Sequence, residues 1–140
     1  MNLCQKIEAL PTYKIPERYK WSRKVALDLE DIGFVNICDC LNKQKLETIG
    51  EPPADFDMDL FKKKKIKRVV WSFIKIEPEY FICGQRYLDK ARLLEILVDP
   101  NPEHVRMLKV GKYIVCQDGH HRAAKKYLKN QRVYTKLSIL

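Results

Sequence analysis

Hydrophobic and polar positions change period several times along the chain, and each change marks an element. The clearest strand signal is Val69, Val70, Trp71, Ser72, Phe73 and Ile74, a β-branched and aromatic run closed by Lys75. Pro78 ends that strand. From Tyr87 to Leu97 apolar residues recur about one turn apart, at Leu88, Ala91, Leu94 and Leu97. This spacing predicts a helix that opens within Gln85–Lys90 and stops at Asp99-Pro-Asn-Pro102. Val105–Val110 and Lys112–Cys116 flank Gly111 and predict a β-hairpin. Asp118 and Gly119 then open a helix through Ala123, Ala124, Tyr127 and Leu128 to about Asn130, with Asp118 placed as its cap. Val133–Ile139 alternates as a final strand.

The first half is less regular. Pro16 near a first turn and Gly33 past an end frame a candidate helix, whose stripe of Trp21, Val25, Leu27 and Leu29 is only partly periodic. Phe34–Leu41 fits either a strand or the start of a helix. Thr48–Asp59 contains Gly50, Pro52 and Pro53 with the carboxylates Glu51, Asp55, Asp57 and Asp59, and reads as a loop. The sum is an α/β or α+β fold. The expected organisation is a largely helical N-terminal extension over residues 1–67 and a domain over residues 68–140.

Composition narrows this picture. With 140 residues the chain suits one domain, and 46% hydrophobic with 32% charged residues excludes wholesale disorder. Lys and Arg number 27 against 18 acidic residues, a formal net charge of +9. Up to Lys67 there are 13 basic and 11 acidic residues; from Arg68 onward there are 14 and 7. The second half therefore carries most of a field that favours phosphates, nucleotides or nucleic acid. The run Lys62, Lys63, Lys64, Lys65, Lys67 and Arg68 leads into the first strand. It suits a phosphate contact or, equally, a solvated strand end that blocks edge pairing.

No apolar run approaches the roughly 18 residues of a membrane span, and Met1–Leu10 has no signal-peptide core. The expectation is a cytoplasmic protein with no membrane partner. Cys4, Cys38, Cys40, Cys83 and Cys116 are odd in number and irregular in spacing, which argues against a disulfide framework and for buried thiols. Cys38-x-Cys40 lacks zinc-knuckle spacing, so no metal site is expected.

The sharpest chemical feature is Val115-Cys-Gln-Asp-Gly-His-His-Arg-Ala-Ala124, in which a strand ends, a tight Asp-Gly turn follows and a helix begins. Gly119 permits an unusual backbone angle and close approach. The first-turn amides of a helix lack internal partners and sit at the positive end of its dipole, which suits an anion. Arg122 in that turn can grip a phosphate with two parallel bonds, and a histidine beside a phosphate is pulled toward its charged form. Ala123 and Ala124 let the helix pack closely on a sheet. A capped helix with surface histidines fits the same residues. His120 and His121 point about 100° apart, so they do not form a shared metal site.

Asp118-Gly-His-His-Arg-Ala-Ala124, lying between two strands, resembles the ParB/sulfiredoxin superfamily. Partition proteins of that superfamily carry Gly-x-x-Arg-x-x-Ala here; Gly119 and Arg122 fall in the same frame, with small residues behind them. Sulfiredoxins carry Gly-Cys-His-Arg, whose His-Arg pair contacts ATP phosphates, and His121-Arg122 matches that pair. His120 stands at the catalytic cysteine position, which argues against peroxiredoxin repair. The resemblance covers roughly Arg68–Leu140 and implies a mixed sheet with packed helices around a nucleotide-phosphate cradle. Its members place a basic side chain on the helix before the motif, which implies Lys90, or second Arg86. The family's Glu-Asn-x-x-Arg element is absent, and the expectation is a stand-alone domain, not a complete partition protein.

Three functions follow. The first is a stand-alone ParB-like domain in DNA metabolism or of mobile-element origin, binding a nucleotide (ATP, ADP or CTP) or a nucleic-acid phosphate, with nuclease or NTPase chemistry as options. Its phosphate set is Asp118, Gly119, His121, Arg122, Ala123, Lys90 and Arg86, with His120 or His121 moving protons in a nuclease. The second is a nucleotide-dependent small-molecule kinase resembling the superfamily's serine kinases, with Mg2+ and a carboxylate base from Glu77, Glu79 or Asp118. The third is a non-catalytic protein-interaction module.

Overall fold

The structure is a computed structural model that describes residues 2–13, 33–95 and 105–140. The candidate helix between Pro16 and Gly33 and the stop at Asp99–Pro102 lie outside the described residues. The chain forms α1 (Leu3–Glu8), β1 (Phe34–Asn36), α2 (Ile37–Leu41), α3 (Met58–Lys63), β2 (Arg68–Ile74), a 3₁₀ turn at Pro78–Tyr80, β3 (Phe81–Cys83), β4 (Tyr87–Asp89), α4 (Lys90–Glu95), β5 (Val105–Val110), β6 (Tyr113–Asp118), α5 (His120–Leu128) and β7 (Val133–Ile139). This is an α+β fold.

Short polar side chains set the helix starts. Asn2 and Gln5 form a reciprocal capping box on α1, each side chain accepting from the other's amide at 2.9 Å. Asn36 accepts from the Cys38 amide, so Phe34–Leu41 is a strand that turns directly into a helix. Asp57 accepts from the Leu60 amide at 2.9 Å, and part of the stretch expected to be loop therefore starts α3. Lys62 and Lys63 close that helix at its negative end and Lys64 leaves it with φ 48°, so only the last of the basic run, Arg68, enters β2.

The main sheet has five strands in the order β2-β7-β5-β6-β3. β5 runs parallel to β7 and β3 parallel to β6; β2–β7 and β5–β6 are antiparallel. The hairpin around Gly111 and the final strand form as the hydrophobic pattern predicts. The helix expected from Tyr87 does not begin there. Tyr87–Asp89 is a strand paired with β1, Val35 opposite Leu88, and the helix starts at Lys90. Tertiary pairing overrides the local period because β1 offers Leu88 a buried partner, and the Asp89 carboxylate accepts the Ala91 amide at the turn into α4.

Each sheet face has its own core. Val105, Met107, Cys116, Val133 and Leu137 lie on one face with Ala123 and Ala124 of α5, and Ile7, Val35, Ile37, Cys40 and Leu41 complete that cluster. On the other face Ile82, Leu108, Val110, Tyr113 and Val115 pack with Phe56, and Met58, Leu60 and Phe61 lie against them. Residues on both sides of position 67 thus supply both cores, which ties the first half of the chain to the sheet by apolar burial. Among the described residues the cover on the second face does not reach the β2–β7 end, where Val69, Trp71, Phe73 and Tyr134 are exposed.

Candidate functional site

The Asp118–Ala124 motif lies where β6 ends beside the parallel end of β3. Gly119 itself is the N-cap of α5, with φ 88° and ψ 30°. Asp118 is not the cap: it closes β6, and its carboxylate accepts the Gly119 amide at 2.9 Å. A Cβ on Gly119 would lie 2.9 Å from Val105 Cγ2 and 3.1 Å from its Cα. The close approach that the glycine permits is therefore to the chain's own strand β5.

Both histidines turn inward. His120 is 6% exposed and its Nε2 accepts from the Gly84 amide at 3.0 Å. His121 is 8% exposed and its Nε2 accepts from the Asp89 amide, also at 3.0 Å. With Nε2 accepting, the bonding pattern assigns each ring's proton to Nδ1. Burial pushes the His120 imidazole down to about 4, opposed by Asp118. Burial, with Arg92 and His120 adding to it, pushes His121 down to about 3. At His120 desolvation thus outweighs the opposing pull of the Asp118 carboxylate, and at His121 every contribution favours the neutral ring. Two adjacent helix positions point in different directions, so one ring pins the exit of β3 and the other the end of β4 to the start of α5.

The other candidates divide between this corner and elsewhere. Arg122 is half-buried in the first turn of α5, and Ala123 is fully buried in the core beneath it. Lys90 is also buried, and its Nζ donates to the Glu8 carbonyl at 2.9 Å, joining α4 to the end of α1. Arg86 is exposed on the segment between Gly84 and Asp89, and its carbonyl accepts the Ile37 amide. Glu79 is exposed on the 3₁₀ turn before β3, at the opposite end of that strand from Gly84, so it is not brought to the motif. Glu77 lines a pocket of about 40 Å³ with Ile74, Tyr80 and Lys112, suited to a water-sized guest and not to a nucleotide. Among the described residues no group of three or more His, Cys, Asp and Glu side chains could hold a metal ion. All five cysteines are free thiols, and burial raises Cys40 and Cys83 to about 12.

Sequence reasoning missed a surface row that ends on this corner. Trp71 is in register with Lys136, Lys136 with Arg106, and Arg106 with Asp118, across four strands, and all four side chains are exposed. Two residues along, Phe73 is in register with Tyr134. The Tyr134 ring stacks on Trp71 at 5.6 Å between centroids and meets Phe73 at 4.8 Å. The available signal was the i, i+2 spacing of Trp71 with Phe73 and of Tyr134 with Lys136, which puts each pair on one strand face. Sequence alone did not say that this face is open.

No family model, no curated protein and no solved structure matches the chain. No helix among the described residues is long and apolar enough to cross a membrane.

Proposed function

We propose that the chain binds nucleic acid through its phosphates, across the exposed row from Trp71 to the start of α5. The observation that carries this is the register of Lys136 with Arg106, like charges side by side on an open sheet face. Directly opposed like charges destabilise a sheet, and a phosphate between them turns that repulsion into attraction. The row ends at the Asp118 carboxylate, in register with Arg106, and Arg122 stands four residues further on, in the first turn of the helix that packs on the other face. The likeness of Asp118–Ala124 to the ParB/sulfiredoxin phosphate motif supports the same ligand chemistry, as does the concentration of positive charge after Arg68.

A polymer suits this surface better than a free nucleotide. His120, His121 and Lys90 are all engaged within the chain, and the Asp118 carboxylate already occupies the Gly119 amide. An open basic face compensates by spreading many weak contacts along a backbone.

Fluorescence anisotropy with a labelled oligonucleotide, titrated at several salt concentrations, tests this. The logarithm of the affinity falls linearly with that of salt, and R106A and K136A each reduce the slope by about 1. Affinity that ignores salt, or a slope unchanged in both variants, refutes it. ATP, ADP and CTP in a melting assay give the contrary outcome: a shift lost in R122A makes the site a nucleotide pocket.

A further inference from the structure

We infer that Trp71, Tyr134 and Phe73 form a stacking platform for the bases of a single-stranded nucleic acid. This rests on the phosphate-binding reading above and adds to it the class of ligand and the contact that selects it.

The three rings are 47%, 41% and 62% exposed. They are not core residues left over from poor packing. The same two strands bury their other face: Val133, Thr135 and Leu137 are buried on β7, and Val70 and Ile74 pack against the main core. Thr135 further anchors β7, its hydroxyl donating to the Val105 carbonyl at 2.7 Å. Alternation therefore commits the rings to the open side. Tyr134 touches both neighbours, so the rings make one continuous aromatic surface.

Charge decides what covers that surface. Lys136 sits beside Trp71 and Arg106 beyond it, and Lys75, just past the end of β2, is exposed. Lysine is depleted from the centres of protein interfaces, so this composition disfavours a protein partner. Bases supply flat apolar faces and phosphates supply the counter-charge, which matches aromatic rings interleaved with cations. In a duplex the base faces are already stacked on one another, so only an unpaired strand can lay them on the rings. Removing an exposed ring takes nothing from either core.

The test uses the full chain carrying W21F, in which Trp71 is the only tryptophan, with oligothymidylate and oligouridylate of twelve nucleotides and a twelve-pair duplex as probes. The expected results are quenching of Trp71 emission by the single strands and at least tenfold tighter binding of single strand than of duplex. F73A and Y134A each weaken single-strand binding by roughly 5- to 100-fold, with the salt slope unchanged because no charge is removed. The melting temperature of each variant checks that the fold is intact, and quenching in the chain with its rings in place does not depend on the variants folding. Equal affinity for single strand and duplex, with F73A within twofold of the parent, overturns the stacking platform while leaving phosphate binding intact. Failure of every probe to bind near 50 mM salt overturns both. Self-association of the parent chain that F73A abolishes overturns the platform and makes this face a protein interface.

Discussion

Lowering the pH from 7 to 5 strikes the two histidines that pin α5. In the unfolded chain each imidazole titrates near 6.5. In the folded protein His120 titrates at about 4 and His121 at about 3, because both are buried and both use Nε2 as an acceptor. The unfolded state therefore binds more protons below pH 6.5, and acid favours unfolding. The stability is fully present above pH 6.5 and is lost progressively as the pH falls toward 4 and then 3. Between pH 7 and pH 5 each ring loses about 2 kcal/mol, so the pair loses about 4 kcal/mol. Against a typical total of roughly 5–15 kcal/mol this is a large fraction. Urea unfolding followed by circular dichroism at the two pH values measures it. The double variant H120Q/H121Q keeps an oxygen acceptor at similar reach but does not titrate, and its stability changes little over the same interval. His104 is present in both proteins and cancels in the comparison. Equal acid sensitivity in the parent and the double variant would show that these rings are not held neutral by burial.

Two further substitutions follow from the same corner. G119A forces an alanine to φ 88° with its Cβ 2.9 Å from Val105, and left-handed strain plus overpacking lower stability by about 2–4 kcal/mol; a melting temperature within a degree or two of the parent would contradict this. K90M removes the bond to the Glu8 carbonyl and lowers stability by about 1–2 kcal/mol while leaving oligonucleotide affinity within twofold; a tenfold loss of affinity at unchanged stability would move Lys90 to the ligand.

Much of the second half was legible as sequence because its signals are local. Gly111 between two apolar runs made the hairpin, the small residues after Gly119 marked the last helix, and alternation from Val133 marked β7. The positive charge after Arg68 was visible for the same reason. What depended on residues far apart was not. Tyr87–Asp89 became strand because β1, some fifty residues earlier, pairs with it. Asp57 became a helix cap within a stretch rich in turn residues, since a capping residue and a loop residue are chemically alike.

The sequence by itself determined which chemical groups the chain owns and the period of its longer elements. Only the tertiary structure decided which of those groups meet water. It buried His120, His121 and Lys90 on backbone partners from other segments, and it left Trp71, Phe73, Tyr134, Lys136 and Arg106 open by ending the second core before the β2–β7 edge. Period sets the face on which a side chain stands, but the burial of that face, and with it charge state and access, depends on whichever distant segment packs there.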